Sequence, residues 1–263
     1  MTFKAFAAAA SLVLTAGLIC GSARAEPQIN AAYAVYIKGF HVLNARTSYQ
    51  LQPWGYGGST QIKPAGLISW FVTMDVTSHV QGQFTPDGNV QPVLFDSGGV
   101  SRGKNRHVLL EFSNDTPKVV DLQPPETDRE SIPADLLPHT VDTLSGMAHL
   151  LHSLATTGKC DGSQVIFDGL RLTQMVVHGP VMVDIPQGQD EAYSGQAMRC
   201  DFIGRQIAGF IKDSPNRAKL AAPQPGAVWF LKISGLGLVP VRIEFNHPKL
   251  GHVMVVMQHA VAP

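Results

Sequence analysis

Apolar and polar residues alternate with period two over most of this chain, and glycine- and proline-rich breaks interrupt the alternation at short intervals. Successive side chains of a strand point to opposite faces, so this pattern calls for β-strands and excludes a helical bundle. Tyr33, Val35 and Ile37 alternate up to a turn at Lys38-Gly39. Leu43, Ala45, Thr47, Tyr49 and Leu51 continue on the return. Trp54-Gly55-Tyr56-Gly57-Gly58 is too rich in glycine for a helix and suits a bulge or bend. From Ser69 to Val80, Trp70, Val72, Met74, Val76 and Val80 form one face, and Thr73, Asp75, Thr77 and His79 form the other. This is expected to be a strand with one wet face. Pro86-Asp87-Gly88-Asn89 is a turn in which proline presets φ and glycine takes the positive-φ position. Further strands are expected at 92–97, 106–112 and 118–122. In the second half they are expected at 164–167, 170–178, 181–185, 196–203, 207–212, 227–233, 239–246 and 252–259. Asp168-Gly169 reads as a two-residue hairpin turn.

One stretch breaks the pattern. Val141, Leu144, Met147/Ala148, Leu151 and Leu154/Ala155 recur at helical spacing, which predicts a helix over 140–155. Thr140 is the expected N-cap and Gly158 the expected stop. No internal repeat and no interdomain linker is visible. About a dozen strands and one helix suit a single β-rich domain over 26–263, because large sheets form single domains of roughly 200–250 residues.

The first 25 residues have the three parts of a secretory leader. Lys4 is the basic start, Ala7 to Cys20 is apolar, and Ala23-Arg24-Ala25 is an A-x-A site with cleavage expected between Ala25 and Glu26. The apolar run is short of the ~20 residues that a spanning helix needs. Ile19 is too large for the position before a lipidated cysteine at Cys20, so a soluble exported chain is expected. No later segment has the length and apolarity of a membrane span. The chain has 20 Lys+Arg and 20 Asp+Glu, and losing Lys4 and Arg24 with the leader leaves a net charge of −2. Without a basic run there is no face to track phosphates, so nucleic acid is not an expected partner. Cys160 and Cys200 remain, and an even count in an exported chain reads as a disulfide. Two free thiols, or half of a metal site, are the other readings, although no C-x-x-C or H-x-x-x-H accompanies the pair.

Two groups of residues are candidates for function. Asp142, Ser145, His149 and His152 share a stripe on the expected helix, beside its apolar face. They suit a metal-dependent or acid–base enzyme, or simply a polar flank where the helix leaves the core. No G-x-S-x-G elbow, G-x-G-x-x-G or phosphate-binding loop supports a hydrolase or a nucleotide site, and no cofactor is expected. Trp54, Trp70, Phe71, Trp229 and Phe230 are the candidate lining of an apolar ligand surface, with a place in the β core as the alternative.

Several stretches in order resemble the bacterial exported family called domain of unknown function 3108. They are Tyr33-Ala34-Val35-Tyr36-Ile37-Lys38-Gly39, Asp142-Thr143-Leu144-Ser145, Cys160-Asp161-Gly162, Phe167-Asp168-Gly169-Leu170-Arg171, Tyr193-Ser194-Gly195 leading to Cys200, and Val239-Pro240-Val241-Arg242-Ile243. The resemblance spans most of the chain beyond the leader and carries no catalytic residues. It implies a strongly curved antiparallel sheet, a half-barrel or spiral barrel, packed around one α-helix. The expected function is that of a non-enzymatic periplasmic protein of the cell envelope that binds a lipid, a lipoprotein or an envelope protein. A hydrolase or metal-dependent enzyme using the helix stripe, and a purely structural or interaction protein, are the alternatives.

Overall fold

Short turns join most consecutive strands, so each strand pairs with its neighbour in sequence and the sheet grows as a meander. The computed structural model describes residues 28–188 and 191–262. The expected leader and its Ala25/Glu26 cleavage site lie outside the described residues. The first half comprises β1 (Ile29–Ile37), β2 (Phe40–Gln52), β3 (Gly55–Pro64), β4 (Met74–Phe84), β5 (Val90–Ser101), β6 (Lys104–Ser113) and β7 (Thr116–Gln123). Helix α1 (Thr143–Thr157) follows. The second half holds β8 (Gly162–Phe167), β9 (Leu172–Asp184), β10 (Gln196–Ala208), a short α2 (Arg217–Ala221), β11 (Gln224–Ile233), β12 (Gly237–His247) and β13 (Gly251–Val261).

These strands form one 13-stranded antiparallel sheet in the order β7-β6-β5-β4-β3-β2-β1-β13-β12-β11-β10-β9-β8. Two meanders are therefore joined where β1 pairs with β13, from Asn30 opposite Val261 to Ile37 opposite Val253. The sheet does not close on itself. Its two edges, β7 and β8, are the strands that flank α1 in sequence. Val141, just before the helix, adds a parallel bridge to the outside of β8, and its N–H and C=O bond Val165 O and Phe167 N at 3.0 and 2.8 Å. This covers part of an edge that would otherwise invite pairing with another chain.

Helix α1 lies against both halves, touching β4, β5, β8 and β12. Its buried Ala148 and the preceding Val141 pack with Tyr56, Val80 and Val90 from the first meander. Leu151 and Leu154 pack with Cys160, Cys200, Val228 and Phe230 from the second. Asp142, rather than the expected Thr140, caps the helix: its Oδ1 accepts from Leu144 N and Ser145 N, both at 2.9 Å. Thr140 instead donates its hydroxyl to Leu137 O at 2.8 Å. Gly158 ends the helix at φ 70°, a left-handed conformation that favours glycine. Cys160 and Cys200 are bonded at 2.19 Å and tie the helix exit to β10.

The second meander is covered on its other face too. Trp229 sits under two guanidinium groups, Arg199 at 5.1 Å and Arg242 at 5.8 Å from the ring centre. Ile185 and Tyr193, from the β9–β10 connection, belong to the same apolar cluster as Trp229. Arg242 is buried, pairs with Glu191 of that connection and with Glu244, and donates to Pro186 O at 3.3 Å.

Several further sequence expectations need correction. The glycine-rich stretch after Trp54 opens strand β3 rather than a bend, paired on both sides, and its glycines let the neighbours come close: a Cβ on Gly55 would lie 2.8 Å from Gly82 O. No separate strand forms at 207–212, because β10 runs on to Ala208 and Gly209 then takes φ 70°. The strand expected from Ser69 starts only at Met74, because Gly66 takes φ 58° and begins a 3₁₀ turn over Gly66–Trp70. Asp168-Gly169 belongs to a four-residue turn, in which Asp168 Oδ1 accepts from Leu170 N at 3.0 Å and Arg171 N at 2.8 Å. The segments 170–178 and 181–185 are one strand, β9, because pairing with β10 runs on past Gly179-Pro180.

Candidate functional site

The two halves cover α1 unequally. Between the helix and the inner side of β8–β12 lies a cavity of about 520 Å³. The helix contributes Gly146, Met147, Leu150 and Ser153 at the spacing of one face. Met175 and Val177 of β9, Phe202 of β10, Val228 of β11, and Ile243 and Phe245 of β12 form the opposite wall. The strand residues come from alternate positions, as a pleated sheet requires. Two glycines make room for this lining. A Cβ on Gly226 would lie 2.2 Å from the Phe202 ring, and one on Gly204 would lie 2.8 Å from Met175 Sδ. The cavity is apolar in the middle and polar at both ends. Asp161 marks one end, beside the Cys160 disulfide where β8 begins, while Arg171, Arg205, Gln224 and His247 mark the other, where β8 gives way to β9. Burial pushes the His247 imidazole down, and the nearby Arg171 and Lys249 add to this. Burial also holds His149, at the helix edge of the cavity, below the ordinary histidine value, against the opposing effect of the hydrogen bond its ring donates to Gln164.

The expected helix stripe does not converge on a cleft. Asp142 and Ser145 are both fully buried. Ser145 donates its hydroxyl to Asp142 Oδ2 and accepts one from Tyr56 at 2.7 Å. The serine is thus spent on joining the helix cap to β3 and is closed to any substrate. His152 stacks on Phe84, with ring centres 3.8 Å apart. Of the four, His149 alone lines the cavity. Among the described residues no group of three or more His, Cys, Asp or Glu side chains could hold a metal ion.

The expected aromatic surface does not form either. Trp54, Trp70 and Phe71 are 69, 79 and 84% exposed. Trp229 and Phe230 are buried in different clusters, because adjacent residues of a strand face opposite sides. The physical reason is that Trp70 and Phe71 sit on the 3₁₀ turn and its exit, and Trp54 in the β2–β3 turn. Sequence reasoning missed the cavity lining. Its only local signals were the alternation of Thr173, Met175 and Val177 and the helical spacing of Met147 and Leu150.

Burial raises the Asp142 carboxyl, and its hydrogen bonds from Ser145 and Leu144 offset this only in part. A raised folded pKa means that this group's contribution to stability is complete below the unfolded value of about 3.9 and is lost as pH climbs through the folded value. Asp142→Asn is expected to flatten that downward slope in urea-unfolding free energies taken from pH 3 to pH 8 in steps of about one unit. An unchanged slope would contradict the assignment.

A family model described as "Protein of unknown function (DUF3108)" matches residues 32–258. The chain belongs to this family. The DUF3108 match runs from within β1 to within β13 and takes in both walls of the cavity. A solved structure, the beta-barrel-like protein of domain of unknown function DUF1849 from Brucella abortus, is similar at 12% identity with a TM-score of 0.46. The alignment covers 91% of this DUF3108 chain and 99% of that one. No curated protein matches. Among the described residues of this DUF3108 chain, no helix is long and apolar enough to cross a membrane.

Proposed function

We propose that this chain is a non-enzymatic protein of the cell envelope, exported to the periplasm, that binds the acyl chain of a lipid or lipoprotein between α1 and β8–β12. The observation that carries this reading is the cavity itself. Its volume of about 520 Å³ falls within the roughly 300–1,000 Å³ typical of ligand sites. An apolar middle with Arg171, Arg205 and His247 at one end suits a chain with a polar or anionic head. The hydrolase reading loses support because Ser145 and Asp142 are locked into the helix cap.

The test is lipid extraction and native mass spectrometry of protein purified from its own cells. An acyl-bearing species is expected to co-purify in the mass range of a lipid or lipopeptide. Leu150→Trp places an indole in the cavity and is expected to lower occupancy, or affinity for a fluorescent fatty acid, by on the order of tenfold. Thermal stability is measured alongside. Protein without co-purifying lipid, or equal fatty-acid binding by wild type and L150W, overturns the binding reading. Recovery of the chain from the cytoplasm alone overturns the export reading.

A further inference from the structure

Beyond the cavity, the molecule carries an unusual surface at the rim where β1 ends. Four connections meet there. Lys38 N bonds His252 O at 3.0 Å, which sets the β1–β2 turn against the start of β13. Ala65 N bonds Val42 O at 2.9 Å, which sets the 65–73 connection against β2. Gly103 N bonds Thr73 O at 3.4 Å, which adds the β5–β6 turn. The Lys38 side chain lies over Gly251, which joins the β12–β13 turn to the group. On these connections Phe40 is 75% exposed, Leu67 71%, Trp70 79% and Phe71 84%. Large apolar side chains gathered in water at loop tips mark a surface that something else covers.

The charge of this rim says what covers it. Segments 38–41, 65–73, 102–104 and 248–251 carry Lys38, Arg102, Lys104 and Lys249 and not one Asp or Glu. The neighbouring Asp75 is paired with Lys63 at 3.1 Å. In the 124–142 connection Glu126 pairs with Arg129 and Glu130 with Arg217. Tryptophan and phenylalanine among unpaired lysines and arginines match the interface of an anionic bilayer, where rings enter the headgroup layer and cations meet phosphate. The cavity reaches the same rim, since its lining includes His247 and Pro248 of the β12–β13 turn.

We propose that the Phe40/Leu67/Trp70/Phe71 rim docks the protein on an anionic phospholipid surface. Docking uses none of the cavity lining, so it stands or falls separately from acyl-chain binding. In this orientation the His247 end of the cavity lies towards the bilayer.

The test is vesicle flotation of protein beginning at Glu26, which keeps every described element. Vesicles of phosphatidylethanolamine and phosphatidylglycerol are expected to carry the protein, less so at high salt, and pure phosphatidylcholine vesicles much less. Trp70→Ser with Phe71→Ser is expected to weaken flotation by on the order of tenfold. Lys38→Glu with Lys249→Glu is expected to do the same. All four side chains are solvent-exposed, and unchanged melting temperatures check that the variants fold. In a Trp54→Phe background, Trp70 is the exposed indole, and brominated phospholipid is expected to quench it while buried Trp229 stays bright. Equal flotation of wild type and variants overturns the proposal. So does equal binding to phosphatidylcholine, or a dimer that the Trp70/Phe71 change dissolves without any vesicle binding. Lipid extraction reports on the cavity independently, so either reading can fail alone.

Discussion

With Cys160→Ala and Cys200→Ala together, the chain is expected to lose roughly 4 kcal/mol of unfolding free energy, a fall in melting temperature on the order of 10 °C. The bridge spans 40 residues, and in the chain-entropy account a loop of that size removes that much freedom from the unfolded chain. Its place in the fold makes the loss matter locally as well. Cys200 is wholly buried and Cys160 nearly so, in one cluster with Leu151, Leu154, Val228 and Phe230. Cys160 N also bonds Gly179 O at 3.1 Å, so helix exit, β9 and β10 meet at one point. Serine in place of alanine is expected to be worse by a further 1–3 kcal/mol or so, because a hydroxyl would be enclosed among apolar groups. Urea unfolding of the alanine pair, the serine pair and the reduced wild type separates the two effects. A loss below about 1 kcal/mol in the alanine pair would show that the bridge constrains little.

Arg242→Ala is expected to cost about 3–5 kcal/mol. The guanidinium is buried beside Trp229 and pairs with Glu191, whose side chain is only 4% exposed. Removing the arginine leaves a carboxylate with neither water nor a counter-charge, and that is the expensive outcome for a buried pair. Glu191→Gln in the same chain is expected to restore much of the loss, because a neutral amide does not demand a cation. A double-mutant cycle by chemical denaturation measures this coupling. Independent, additive effects would mean that Arg242 acts by packing on Trp229 alone. The β9–β10 connection is expected to become protease-sensitive in Arg242→Ala, since Arg242 also holds it at Pro186 O.

Apart from β3, whose glycines read as a bend, the strand framework was legible because alternation is a local property. Tyr33, Val35 and Ile37 announce β1 whatever else the chain does, and Gly158 announces the helix stop. Alternation shows that two faces differ but not which is covered. Trp229 and Phe230 are both buried because the β9–β10 connection covers one face and α1 the other. Trp70 continued an apparent alternation into β4, yet Gly66 had already turned the chain out of the sheet. The candidate cavity was illegible for a different reason. Its lining gathers residues from Thr143 to Pro248, and their meeting depends on the pairing order and on a helix that leaves space on one side. The helix stripe misled because its polarity served a cap: Asp142 and Ser145 satisfy backbone groups and each other.

The pairing of β1 with β13 sets an order of events for a chain made from its N-terminus. Every other ladder joins strands that follow one another, and each half can assemble as it emerges. The ladder from Asn30–Val261 to Ile37–Val253 must wait for β13, the last strand among the described residues. Until then Ile29–Ile37, an apolar alternating strand, has one row of backbone groups bare, which is an open invitation to pair with another unfinished copy. This ladder carries the largest sequence separation in the sheet, so its loop-closure cost is the highest, and the bare edge of β1 is where shielding from other copies counts most.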